Sequence, residues 1–182
     1  MLRVVRLVVS IFTIGLLLQV MDHSVAAEKR IYGLHEQVYI KDLDISLEAK
    51  LDSGATTSSI SADKIKRFER DGEEWVSFRL SFDDAPEKKF EMPLVRTSKV
   101  KRRADDFDPE TDKGYSKRPV VEMELTMGDQ THVIEVNLTD RSHFKYPFLM
   151  GAKALRQFNA LIDVNERMVA DAPSDSDEKD NS

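Results

Sequence analysis

From Leu43 to Leu51 the side chains alternate one by one, with Leu43, Ile45, Leu47, Ala49 and Leu51 set against Asp44, Ser46, Glu48 and Lys50. A period of two predicts a strand with one face on a core and the other facing a polar environment. Continued by one residue, that parity puts Asp52 on the polar face. Small and hydroxylated residues follow at once: Ser53, Gly54, Ala55, Thr56 and Thr57. The same period recurs along the chain. Val76, Phe78, Leu80 and Phe82, then Phe90, Met92 and Leu94, predict two strands joined by a hairpin loop from Asp83 to Lys88. Val121, Met123, Leu125 and Met127, a turn at Gly128-Asp129-Gln130, then Ile134, Val136 and Leu138 predict a second hairpin. Val38 to Ile40 and Ala160 to Val164 read as two further short strands, the first after a polar lead from Glu28 to Gln37.

Two stretches carry a helical period instead. Ser61-Ala62-Asp63 makes a helix start, with Ile65 and Phe68 three apart and Gly72 as the stop. Ala152 to Phe158 follows the apolar run Tyr146 to Gly151 and spaces Leu155 and Phe158 by three. About seven strands and two short helices make a mainly β chain, and no repeat of solenoid period appears.

Three segments break the pattern. Between Arg96 and Pro119 apolar residues thin out and mixed charge becomes dense. Two readings stand: a disordered loop that buries too little to offset its ordering entropy, or an arm or flap that orders over a ligand or partner. The basic cluster from Lys99 to Arg103 can hold an acidic group or serve as a solvated face. At the N-terminus, Arg3 and Arg6 precede an uncharged, mostly apolar run from Leu7 to Met21, and Ser24-Val25-Ala26-Ala27 closes it. This is the layout of a secretory signal cleaved after Ala27, with an uncleaved membrane anchor as the alternative. Both put the folded part outside the cytoplasm, in the periplasm or secreted. The tail is acidic and lacks large apolar side chains. The expected organisation is a signal over 1–27, one domain over 28–168 and a disordered acidic tail over 169–182.

The composition, 41% hydrophobic and 33% charged over 182 residues, suits one globular domain with a real core. A formal charge of −6 offers no long-range attraction to nucleic acid, so none is expected as a partner. The absence of cysteine excludes a disulfide framework, a thiolate zinc site and a cysteine nucleophile. His23, His35, His132 and His143 form no close pair, and H-E-x-x-H, P-loop and G-x-S-x-G motifs are all missing. No metal or cofactor is expected. What remains is Asp52, an acid at a strand end ringed by potential donors. Alone, D-S-G reads as an ordinary strand-ending turn.

Two stretches change that weighing: Asp52-Ser53-Gly54-Ala55-Thr56, and Phe148-Leu149-Met150-Gly151 ahead of a short helix about a hundred residues later. Together they resemble the retropepsin-like aspartic peptidases, whose signature is D-[ST]-G-A followed late by two hydrophobic residues, Gly and a helix. More closely, the chain is similar to a bacterial branch often labelled ATP-dependent zinc protease. It shares with that branch the run Asp52 to Ser58, the strand Arg118-Pro119-Val120-Val121, the segment Thr139-Asp140-Arg141 and the run Tyr146 to Gly151. These motifs stand in order across about residues 31 to 164. The zinc and ATP of the label find no support in the residues.

The resemblance implies a small closed acid-protease-like β-barrel with one or two short helices. It implies an aspartic endopeptidase in which Asp52 is catalytic and Ser53, Gly54, Ala55, Thr56 and Gly151 support the active-site loop. Gly54 would donate its backbone N–H to the carboxylate, Ser53 would lock two such loops together, and Gly151 would let the late helix pack beneath the Asp52 loop. Only one D-[ST]-G exists, so the resemblance implies a homodimer with Asp52 from each copy forming a dyad, acting on a peptide or protein. Asp163 lacks that context and reads as a strand-end acid. The 99–117 segment takes the flap position, though with Gly114 as its sole glycine. Two other readings stay open: a non-catalytic periplasmic peptide-binding or regulatory module keeping the same fold, and a metal-dependent hydrolase.

Overall fold

In β3 the alternation of the opening stretch becomes an inside and an outside, with Leu47, Ala49 and Leu51 buried and Glu48, Lys50 and Asp52 half-exposed. The computed structural model describes residues 28–101 and 114–170. The expected signal, most of the expected flap tip and the tail from Asp171 lie outside the described residues. In chain order the elements are β1 (Arg30–Gly33), β2 (His35–Ile40), β3 (Ile45–Asp52), β4 (Ser58–Arg70), β5 (Glu73–Leu80) and β6 (Phe90–Pro93). They continue as β7 (Arg96–Lys101), β8 (Tyr115–Met127), β9 (Gln130–Thr139), β10 (Phe148–Gly151), α1 (Ala152–Gln157) and β11 (Ala160–Asp163).

Six of these strands close on themselves. β10 pairs with β3, β3 with β2, β2 with β8, β8 with β9, β9 with β4, and β4 returns to β10. The ring leaves no free edge in the barrel, and its interior is filled by Ile40, Leu51, Ile60, Met123, Leu138 and Phe148, all but sealed from solvent. The closed acid-protease-like barrel expected from the resemblance is thus what the chain forms. β5 and β6 extend outward from β4.

The helix expected from Ser61 to Phe68 is not formed. Those residues belong to β4, which pairs with β9, β10 and β5. Two residues, Lys64 and Ile65, oppose the single Phe78 between the Asp63–Arg79 and Lys66–Ser77 pairs, and Lys64 takes a left-handed φ of 46°. This bulge interrupts the two-residue period and leaves Ile65 and Phe68 at a spacing that imitates a helix. The Ser61 hydroxyl, expected at a helix start, donates to the Ser81 carbonyl at 2.9 Å. Gly72 is likewise no helix stop; with Asp71 it forms a two-residue hairpin turn, φ 53° and 80°, into β5. Among the described residues there are eleven strands and one helix, not seven and two. The strands missed are β1, inside the polar lead, β4, β7 and β10. β7 pairs with the first half of β8 from Lys101–Tyr115 to Arg96–Val120, so the charged 96–119 segment is a two-stranded ribbon where it is described.

β1 and β11 pair in parallel as a separate ribbon. Glu36 fastens Val169 and Ala170 beside it. This carboxylate is fully buried yet saturated, accepting the N–H groups of Gly33 at 2.5 Å and of Val169 and Ala170 at 3.1 Å each. Buried amide donors that lose such a charged acceptor are expensive to leave unpaired. Glu36→Ala is therefore expected to cost about 2–4 kcal/mol, read as a lowered midpoint in urea or thermal unfolding.

Candidate active site

Asp52 ends β3 beside Gly151, which ends β10, and the two are register partners in the parallel pair. The chain turns immediately afterwards. Ala55 N–H donates to the Asp52 carbonyl at 3.2 Å, and Gly54 N–H donates to Asp52 Oδ1 at 2.9 Å. A Cβ at position 54 would sit 3.1 Å from that oxygen, so glycine permits the close approach. Asp52 Oδ2 accepts no hydrogen bond among the described residues. Ser53, Gly54 and Thr56 are exposed, and Ala55 and Thr57 are half-buried.

The loop's carbonyls in turn start the helix. Ala152 N–H donates to Ala55 O at 2.7 Å and Lys153 N–H to Thr56 O at 3.1 Å, so the unpaired amides of the first turn of α1 end on the Asp52 loop. Gly151 N–H donates to Ser58 Oγ at 3.1 Å. A Cβ at position 151 would fall 2.7 Å from the Thr57 carbonyl carbon and 3.0 Å from Ala55 O, both backbone atoms.

Asp52 opens onto a cleft of about 1050 Å³. One wall is the β7–β8 ribbon, with Ser98, Lys99, Val100, Lys101 and Arg118; another is the segment after β9, with Asp140, Arg141, Phe144, Lys145 and Tyr146. Among the described residues the lining holds six cations, Lys50, Lys99, Lys101, Arg118, Arg141 and Lys145, against two acids, Asp52 and Asp140. In a chain of charge −6 this is a local reversal of sign. Sequence reasoning found Lys99 and Lys101 as part of a basic cluster and quoted Arg118 and Arg141 inside motifs, but assigned neither arginine a role. Nothing linear marks the group, because β-pairing gathers it from nearly a hundred residues of chain.

Arg141 is the most buried of these cations. Its backbone N–H donates to Ser61 Oγ at 3.1 Å, Nη1 to Ser59 Oγ at 3.0 Å and Nε to the Tyr146 carbonyl at 3.4 Å, with the guanidinium 4.7 Å over the Phe144 ring. Burial, and then the like charge of Arg118, pull its pKa down, while Asp52 acts in the opposite direction. Tyr146 stacks on His35 with ring centroids 4.2 Å apart, and burial lowers the His35 pKa. Asp163 lies at the end of β11, where Oδ1 accepts Asn165 N–H at 2.9 Å, the turn-capping role expected of a strand-end acid. Among the described residues no group of three or more His, Asp or Glu side chains could hold a metal ion.

A chain of ion pairs ties the ribbon to the helix. Arg96, at the base of β7, grips Glu135 of β9 with Nε at 2.8 Å and Nη2 at 2.7 Å, and Lys153 of α1 reaches the same carboxylate at 2.9 Å. Hydrogen bonds from Arg96 and then Lys153 hold the Glu135 pKa down at about 2.

A closed six-stranded barrel with an Asp-Ser-Gly-Ala turn laid against a Gly-helix junction is the arrangement the sequence motifs implied. The sequence profile described as "RimB-like: Retropepsin-like aspartic endopeptidase RimB" matches residues 31–173. The chain belongs to this RimB-like family. A Legionella pneumophila protein of unknown function (DUF785), Lpg0085, shares the fold at a TM-score of 0.64 and 30% identity, over 79% of this chain and 99% of its own. Two curated relatives are each named "Probable alpha-L-glutamate ligase". The Desulfotalea psychrophila protein is 31% identical over 131 residues, 70% of this chain and 26% of its own length. The Shewanella pealeana protein is 34% identical over 124 residues, 66% of this chain and 25% of its own. The chain thus spans about a quarter of the curated relatives it matches.

Gly151→Ala is expected to push the helix off the Asp52 loop and lower stability by about 1–3 kcal/mol, measured by chemical denaturation, because only backbone can yield there. For Glu135 the folded pKa lies below the ordinary value near 4.5, so its contribution is fully present above about pH 5 and lost as pH falls towards 2. The pairs are partly solvated, so Glu135→Gln should cost only about 1 kcal/mol at pH 7. Thermal melts of wild type and variant are expected to converge as pH approaches 2.

Proposed function

We propose that this chain is an aspartic endopeptidase that works as a homodimer on acidic peptide chains, outside the cytoplasm, with Asp52 of each copy forming one catalytic pair. The observation that carries the reading is the Asp52 carboxylate, seated on the Gly54 N–H and open to a basic cleft. Two carboxylates brought close together share one proton, since both cannot ionise easily, and they titrate as a unit. The ionised member takes a proton from water as the water oxygen attacks the peptide carbonyl carbon, and the protonated member gives its proton to the carbonyl oxygen. The amide nitrogen then takes the proton from the first carboxyl, the C–N bond breaks as a hydroxyl of the gem-diol gives its proton to the second carboxylate, and the original sharing of one proton is restored. The exposure of Ser53 on that loop supports a bridging contact between the two copies.

The preference for acidic chains is supported by the excess of cations in the cleft. It also fits the curated relatives, which carry a ligase name for glutamate and contain a stretch like this chain as one quarter of their length. The ligase name favours a second reading as well, in which the cleft holds an acidic chain for another activity without cutting it.

Incubation of wild type and Asp52→Asn with glutamate-rich peptides, followed by mass spectrometry and oligomer mass, separates the two. The peptidase reading expects wild-type cleavage and a loss on the order of 10²–10⁴-fold in Asp52→Asn, with the dimer intact. Binding without cleavage by wild type would leave the module.

A further inference from the structure

We infer that Arg141, with Arg118 beside it, forms a carboxylate-binding subsite next to Asp52 that selects an acidic side chain of the substrate. The inference rests on the peptidase reading for its consequence, though the subsite itself is a binding site.

The argument starts from what Arg141 lacks. It is only 8% exposed, and charges are rarely buried so far unless an opposite charge accompanies them. Its contacts are a hydroxyl, a carbonyl and an aromatic face. Among the described residues no carboxylate lies within ion-pair distance, Asp52 included. Nε and Nη1 are used, whereas Nη2 makes no hydrogen bond and is not among the buried polar atoms sealed without a partner. That leaves one edge of the guanidinium open on the cleft that Asp52 also lines.

Arg118 sharpens the case. Its positive charge acts on Arg141, so the two guanidiniums repel. Arg118 is held in place from the barrel: Nε donates to Ser116 Oγ at 3.2 Å and Nη1 to Asn137 Oδ1 at 3.4 Å, while Asn137 Nδ2 donates to Ser58 O at 2.6 Å. A carboxylate at the open edge of Arg141 accepts charge-assisted hydrogen bonds there and offsets the repulsion from Arg118. Because Asp52 lies within electrostatic reach of Arg141, the acidic side chain is recognised near the scissile bond.

The competing role is structural: Arg141 as a staple holding the segment after β9 against β4. A staple would lower activity on every substrate alike, whereas a subsite changes the preference between substrates. The full-length chain is therefore assayed with peptides identical except for Glu or Gln at each position around the cleavage site, in wild type, Arg141→Lys and Arg118→Gln. Wild type is expected to favour one Glu position by roughly 10- to 100-fold in kcat/KM, the worth of a lost charge-assisted hydrogen bond, with most of that preference gone in Arg141→Lys. In parallel, labelled oligo-glutamate and oligo-glutamine of equal length are bound to Asp52→Asn, with and without the second substitution, at low and high salt.

If wild type cleaves nothing but Asp52→Asn binds oligo-glutamate in an Arg141-dependent way, the peptidase reading falls and the subsite stands. Cleavage with no Glu preference overturns the subsite and leaves the peptidase. A Glu preference that survives in both Arg141→Lys and Arg118→Gln also overturns it. Should Arg141→Lys fail to fold, the wild-type preference and Arg118→Gln decide the matter.

Discussion

The Asp52 loop and the first turn of α1 meet backbone to backbone, and the meeting is possible only because residue 151 has no side chain. Two carbonyls of the loop take two amides of the helix, so neither element has a self-sufficient hydrogen-bond inventory. The helix is six residues long and has no side-chain cap. It persists because its orphan amides are satisfied by the loop and because Leu155 and Ala154 are buried. The loop is fixed by the same bonds, and Asp52 inherits that rigidity through its place in register with Gly151. A carboxylate held by two parallel strands and a helix start has little freedom to drift, which is what chemistry at a fixed point requires.

The second constraint is electrostatic. Acidic residues outnumber basic ones in the chain, yet cations predominate among the described residues that line the Asp52 cleft. Concentrating like charge has a cost, offset in part by neutral acceptors such as Ser59 Oγ and Asn137 Oδ1. This surplus of positive charge is the electrostatic basis of the acidic occupant proposed above. Glu135 answers a different demand: its three-way pairing neutralises Arg96 and Lys153 outside the cleft and joins ribbon, barrel and helix.

Much of this was legible in the linear chain where one local rule acted alone. The period of two located β3 and both strands of the second hairpin, and parity correctly placed Asp52 on the side away from the core. Legibility failed where pairing overrode local preference. In β4 a bulge altered the spacing of Ile65 and Phe68, and partners on both flanks outweighed a helix-start signal at Ser61. In β7 the exposed Thr97, Lys99 and Lys101 hid a strand that exists because β8 supplies its hydrogen bonds. The cationic cleft was illegible for a further reason. Lys50, Arg118 and Arg141 become neighbours only after the ring of strands closes, and no local spacing encodes that closure.

The described part of the segment expected to be a flap is the β7–β8 ribbon, and it lines the Asp52 cleft. β7 is anchored at its base through Arg96, whereas its far half, with Lys99 and Lys101, lines the cleft opposite the Asp52 loop. Lys99 also lies 5.4 Å from the centre of the Tyr115 ring across the ribbon, a contact that stiffens the pair without using a carboxylate. The base of the ribbon and the start of α1 share one carboxylate, because Arg96 and Lys153 both bond Glu135. The Lys153 end of that base is bonded to the Asp52 loop, through its own amide on Thr56 O. Through Glu135 and the Lys153 amide, the wall that carries Lys99 and the loop that carries Asp52 therefore belong to one connected set of polar contacts.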